Sequence, residues 1–506
     1  MIGAISSIFL VFTTITGCRT VPDEVEIERP PVTAVRHIDV ALALVHDLPV
    51  SVILEVYAQA AGNLAATEAE LESMFRSEDL ARRVDVYMRR LDNPTGRDII
   101  VWARMWNQLA ALDTLFVSRA DEVSRSAASR LGAIPDESVS GPLLVNLLDA
   151  QLRNENAQEE SIRRNLDELY LLGNDEARAK ALVGAAYLVR VEGGRTALNP
   201  IVQQAIAIVP VVEAPTQAMI LNARLSELSD ALGNTRDVRM LQDQAIRRAE
   251  AGLLVSPADH PAVREVLRIF VARGDRPGAE VIVENIAPVS ARALAYAALG
   301  TAAAHSDRRL PFEAYYEEAL STAFSIDDPE TRAVTAAEII LLRVEGQPDW
   351  APAGAIADLL GRVTVPRFPQ DVRVRTLSTL YSALILADRV EETSRLRGLI
   401  RSADELVRIN TMVGEMMIRR GRPEEARAQI IQIERVPPAT GTAESQAYRI
   451  ARLWIELGEY DRAISVLLDA DVPERARVLV LIPADHTPNP AAVTDLERLL
   501  IMAGNS

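Results

Sequence analysis

From about Val35 onward, apolar residues recur at three- and four-residue spacings along this chain. The stretches "DLARRVDVYMRRL" and "IIVWARMWNQLAALDTLF" each put an apolar stripe on one face of a 3.6-residue helix and charges elsewhere. Strand signals are few. The breaks are short and carry Gly, Pro, Asn and Asp, as in "DNPTG" from Asp92, "LGNDE" from Leu172 and "LGNTRD" from Leu232. No long structureless segment interrupts the body, which predicts helices packed as antiparallel pairs.

One kind of break returns. "RGDRPGAEVIV" from Arg273, "RGRPEEARAQII" from Arg420 and "ELGEYDRAISVLL" from Glu456 each stop a helical pattern at a glycine and restart it with an alanine five residues on. The pairs are Gly274 with Ala279, Gly421 with Ala426, and Gly458 with Ala463. Gly458 is expected to end a helix in the left-handed region, where a Cβ would be penalised. Asp461 then lies near the next helix start, where an acid satisfies free N–H groups. Ala463 lets the second helix approach the first, and Leu467 and Leu468 continue the buried face. A helix pair leaves apolar faces on both sides, and repetition supplies the neighbours that cover them.

This arrangement resembles the tetratricopeptide repeat. Ala451, Trp454, Gly458, Tyr460 and Ala463 follow that family's order, as do Gly414, Met417, Gly421 and Ala426 one unit earlier. A weaker unit holds Tyr315 to Leu320, followed by Pro329. "LADRVEETSRL" from Leu386 lacks the turn glycine. The resemblance covers roughly residues 370–480 and is degenerate elsewhere. It implies an all-α solenoid of antiparallel helix pairs whose first helices line a concave surface. A longer repeat lies above the short one: "EARAKALVGAAYLVRVEGG" from Glu176 parallels "ETRAVTAAEIILLRVEGQ" from Glu330, which reads as an internal duplication.

The amino terminus changes the picture. "MIGAISSIFLVFTTITGCRT" is mostly apolar up to Cys18 and has no charged side chain before Arg19. It is short for a membrane span and suits an export signal. Ile15-Thr16-Gly17-Cys18 resembles a bacterial lipobox, which implies a diacylglyceryl group on the Cys18 sulfur and cleavage after Gly17. Arg19, where Asp favours inner-membrane retention, points to the outer membrane facing the periplasm. "RTVPDEVEIERPP" then reads as an acidic, proline-bearing tether. The expected organisation is a signal over 1–18, a tether over 19–34, an N-terminal helical region over 35–160 and a repeat solenoid over 161–506.

Composition narrows the chemistry. Formal net charge is −17, which argues against nucleic acid as a partner and against polybasic lipid binding. Cys18 is the only cysteine, so no intrachain disulfide forms. Lys180 is the only lysine among 54 basic residues, so a Schiff-base mechanism would have to use it. His37, His46, His260, His305 and His486 are scattered, with no H-E-x-x-H pattern, and neither a G-x-S-x-G elbow nor a phosphate-binding glycine loop occurs. Trp102 and Trp106 share a helix face and suit core packing. No catalytic residue, metal site or cofactor is expected. The leading expectation is a non-catalytic, lipid-anchored interaction scaffold in the cell envelope, with an unknown protein partner. The alternative is a small-ligand receptor working with a transporter; a closed superhelix with a dry cavity would favour it. If first helices line the concave face, Arg408, Glu415, Arg419, Arg452 and Glu456 are candidate partner contacts.

Overall fold

A computed structural model describes residues 37–45, 48–66, 71–91, 93–192, 195–306, 312–436 and 446–503. The segments read as signal and tether, with Cys18, lie outside the described residues, as does His46. The helices begin with α1 (His37–Leu44), α2 (Val50–Ala65), α3 (Leu71–Arg90), α4 (Gly96–Leu112), α5 (Val117–Gly132) and α6 (Glu137–Leu152). Then come α7 (Glu159–Tyr170), α8 (Asp175–Glu192), α9 (Arg195–Ile208), α10 (Pro215–Ala231), α11 (Thr235–Glu250) and α12 (His260–Arg273). Next are α13 (Arg276–Glu284), α14 (Val289–Ala304), α15 (Phe312–Phe324), α16 (Pro329–Gly346), α17 (Ala353–Arg362) and α18 (Gln370–Leu386). The last are α19 (Thr393–Arg397), α20 (Ala403–Arg419), α21 (Pro423–Glu434), α22 (Gln446–Glu456), α23 (Tyr460–Val466), α24 (Val472–Leu479) and α25 (Pro490–Ala503). Among the described residues extended pairing is limited to one parallel bridge, Leu253 with Ile286.

The protein is an all-α solenoid. Even-numbered helices pack on one another in succession from α2 to α24 and form one continuous layer. Odd-numbered helices form the second layer, where direct neighbour packing is intermittent, as between α5 and α7 or α11 and α13. The tighter layer is the inner one, because curvature crowds a concave wall and splays a convex one. Inner helices are accordingly buried almost all round. In α18, Arg373, Val374 and every residue from Thr376 to Ile385 are buried. Such a helix shows little one-sided periodicity, which is why its amphipathic signal is weak.

The repeated turn behaves as its sequence requires. Gly274, Gly421 and Gly458 have φ of 80°, 67° and 74°. After Gly458, the Glu459 N–H donates to Trp454 O at 2.8 Å, closing a helix-ending turn. Ala279, Ala426 and Ala463 are fully buried at the start of the following helix. In the unit that lacks glycine, Asp388 takes the left-handed place with φ 55°, and Arg389 N–H closes the same bond to Leu384 O at 2.8 Å. Asp461 departs from expectation. It does not cap its own helix; its carboxylate accepts from Asn489 Nδ2 at 2.8 Å and lies 2.9 Å from His486 Nε2, tying α23 to the segment that opens α25.

Sequence periodicity does not reveal a second recurring device. An arginine in the first turns of an inner helix donates back to a carbonyl just past the preceding outer helix. Arg178 reaches Leu172 O at 3.1 Å, Arg292 reaches Ile286 O at 3.4 Å, and Arg332 reaches Ile326 O at 2.7 Å. Arg373 does the same to Phe368 O and Arg475 to Leu467 O. Each guanidinium adds a hydrogen bond to a carbonyl in the connection between the two helices, and Leu467 O accepts from the Ala470 N–H at 3.1 Å as well.

The solenoid closes into a ring. α1 packs on α24 and α25, and α2 packs on α24, so both layers join at the two chain ends. His37, Ile38, Val40, Ala41 and Leu44 of α1 are buried there. His37 Nε2 lies 3.2 Å from Ile482 O, Asn63 Nδ2 donates to Ile482 O and Val480 O, and Arg477 approaches Glu55 at 3.5 Å. One hydrophobic cluster runs through α1–α11 and continues across this seam into α20–α25. Two further clusters fill the arc between, one centred on α10–α15 and the other on α14–α21.

Candidate docking cleft

The inner wall is polar, and most of its prominent charges are matched between helices. Tyr187 of α8 donates to Glu227 of α10 at 2.7 Å, Arg224 of α10 donates to Glu265 of α12 at 2.9 Å, and Arg375 of α18 donates to Glu338 of α16 at 2.6 Å. Burial pushes the Glu227 carboxyl up, but Tyr187 and the Arg268 guanidinium outweigh it and hold the group below its usual range. Tyr187 is pushed up in turn, by burial first and by Glu227 second. Two contacts skip a helix: Glu345 of α16 accepts from Arg264 of α12 at 3.2 Å and from Arg420, just past α20. The first passes over α14, an Ala-rich helix whose small side chains let α12 and α16 approach it closely.

Between α20 and α22 the pattern changes. Ser402 caps α20, its hydroxyl accepting from Glu405 N–H at 3.2 Å, which fixes the helix start one turn before Arg408. Arg408, Thr411, Met412 and Glu415 then form one stripe at i, i+3, i+4 and i+7. Tyr448, Arg452 and Glu456 form the facing stripe on α22. The two stripes, with Arg449 and Leu453, line a cleft of about 310 Å3. Arg408 and Glu415 make no hydrogen bond or ion pair among the described residues. Arg452 approaches Glu456 only at 3.9 Å and lies 5.9 Å from the Tyr448 ring centre. Met412 is 39% exposed in the cleft.

Four of the five residues singled out from sequence, Arg408, Glu415, Arg452 and Glu456, therefore meet in one cleft. Arg419 does not line it; it is exposed as the last residue of α20. Sequence reasoning passed over Met412 and Tyr448. An unbranched apolar residue four positions after Arg408, on the polar stripe, was the available signal.

The other candidates have structural partners. A smaller cleft of about 120 Å3 between α3 and α5 is lined by Asp85, Trp102 and Arg119, among others. Asp85 is buried and accepts from the Trp102 and Trp106 indoles at 2.7 and 2.9 Å and from Arg119 at 2.6 Å. Lys180 pairs on the surface with Glu176 at 2.7 Å. Among the described residues no group of three His, Cys, Asp or Glu side chains converges as a metal site. No described helix is long and apolar enough to cross a membrane.

No family model matches the sequence, and neither does any curated protein. Among solved structures, the chain is similar to a circular tandem repeat protein with novel repeat topology and enhanced subunit contact surfaces. The two are 16% identical, the alignment covers 90% of this chain and 98% of that one, and the TM-score is 0.26.

Proposed function

We propose that this protein is a non-catalytic, lipid-anchored scaffold of the bacterial envelope that holds a segment of a partner protein in the α20/α22 cleft. The observation that carries the reading is the contrast along the inner wall. Elsewhere most of its charges are matched, between helices or, as with Lys180 and Glu176, within one, and among the described residues Arg104 of α4 stands alone as an exposed charge; in the cleft an arginine and a glutamate, Arg408 and Glu415, both face open space beside an exposed Met412. Unmatched charges beside an apolar contact are what an adaptable binding surface presents. The tetratricopeptide resemblance supports the same placement, because that family's concave face is built from first helices, and α20 and α22 belong to the inner layer. The small-ligand receptor finds support in ring closure. A cleft lined by three arginines and two glutamates is not the dry cavity it also asks for.

The anchor rests on the lipobox-like Ile15-Thr16-Gly17-Cys18. Cys18→Ser is expected to abolish incorporation of labelled fatty acid and leave the protein unprocessed. A wild-type protein that takes up no label would contradict the anchor. For the cleft, Arg408→Glu/Arg452→Glu is expected to weaken partner capture at least tenfold. Arg452 is exposed and Arg408, half-buried, makes no ion pair to lose among the described residues, so the reversals are expected to change stability by only about 0.5 kcal/mol and the melting curve stays near wild type. Arg419→Glu, outside the cleft, serves as control and leaves capture unchanged. Undiminished capture by the folded double variant would place the docking surface elsewhere on the ring.

A further inference from the structure

We infer that the cleft selects an extended partner segment carrying an acidic and a basic side chain three residues apart, with an apolar residue between them. This inference rests on the docking role argued above and specifies its chemistry. Arg408 and Glu415 are seven residues apart on one helix, which places them on the same face about 10.5 Å apart. Both are half-buried, and neither has a partner among the described residues. They therefore present a positive and a negative contact in fixed order along the wall of one cleft.

A peptide that satisfies both must repeat that spacing. In a polyproline II segment, side chains three residues apart share a face and are separated by about 9 Å. The reach of a glutamate and an arginine side chain covers the small difference. The acid then faces Arg408 and the base faces Glu415. Between those two charges the wall holds Thr411 and the exposed Met412, with Leu453 opposite. An intervening side chain of such a segment projects about 120° away from the charged pair, so an apolar one turns toward Leu453 on the facing wall. The cleft also rejects the simpler alternatives. A wholly acidic segment would satisfy Arg408 and set a like charge against Glu415, and a wholly basic one would do the reverse, so each gains one contact and loses the other. Recognition in this cleft thus requires both signs.

The test uses the full-length protein and four capped peptides in a calorimetric titration. The first carries Glu-Pro-Leu-Arg at its centre. The second replaces its Glu by Gln, the third replaces its Arg by Gln, and the fourth replaces both. The first is expected to bind at least tenfold more tightly than the other three. Arg408→Gln should erase the advantage given by the peptide acid, and Glu415→Gln the advantage given by the peptide base. Equal affinities, or no binding of any peptide at millimolar concentration, overturn the inference. The chain's own Glu26, Ile27 and Arg29 carry the same spacing. If binding appears only after Glu26→Gln and Arg29→Gln, the occupant is this segment and the claim of a separate partner fails. Partner capture that is lost in Arg408→Glu/Arg452→Glu without any peptide discrimination would leave the docking role standing and sink only this inference.

Discussion

Arg373→Met is expected to destabilise the solenoid by about 3–5 kcal/mol, the usual cost of breaking a buried ion pair from one side. Arg373 and Glu405 join α18 to α20 with side chains only 9% and 2% exposed. Glu405 also accepts from the Arg401 N–H at 2.8 Å, so its carboxylate is held in place whether or not the arginine is present. Removing Arg373 leaves that charge buried without a counter-ion, and it removes the donor to Phe368 O as well. Arg373→Met/Glu405→Leu is expected to recover most of the loss, because well-packed apolar groups replace both charges. Chemical denaturation followed by circular dichroism reads both variants. A stacked array need not unfold in one step, so the first transition is the one to compare. A double variant as unstable as the single one would mean that packing, not the stranded charge, sets the cost.

Val40→Asp/Leu44→Asp is expected to open the ring while leaving most of its helices folded. Both residues are buried in α1 at the seam, with exposures of 0% and 4%. Burying an unpaired carboxylate costs several kcal/mol, more than an eight-residue helix recovers from its remaining contacts. Release of α1 would bare the faces of α24 and α25 that it covers. Amide exchange in α24 and α25 should then quicken by at least about a hundredfold, and that in α10–α18 should change little. Small-angle scattering should report a larger radius of gyration. Unchanged exchange in α24 and α25 would show that α1 does not hold the ring shut.

The local repeat was legible because its signals are local. Glycine followed by alanine five residues later marks a left-handed helix end and a close helix approach, and Gly458 and Ala463 occupy those places. Asp388 escaped notice because a short polar side chain tolerates the same backbone at lower frequency, so the unit at 386–396 looked broken when its turn is intact. Asp461 was assigned to its own helix on proximity, but a contact with Asn489, 28 residues on, decides its role. Ring closure had no sequence signature at all. His37 meets Ile482 across 445 positions, and nothing in either segment's periodicity names the other. The cleft was partly legible: the repeat resemblance put the helices around Arg408 and Arg452 on the concave face, and Arg408, Glu415, Arg452 and Glu456 were named there as candidate contacts. It did not show where the cleft ends along α20, so Arg419 was included.

Photo-crosslinking from position 412 in intact cells reads directly whether a partner occupies the cleft. A photoreactive phenylalanine at Met412 stands on the cleft wall, and one at Arg462, on outer helix α23, serves as the comparison. A partner seated in the cleft gives a discrete protein adduct from position 412, its loss when Arg408→Glu/Arg452→Glu is added, and no such adduct from position 462. An adduct from both positions alike, or one from 412 that survives the charge reversals, would contradict it.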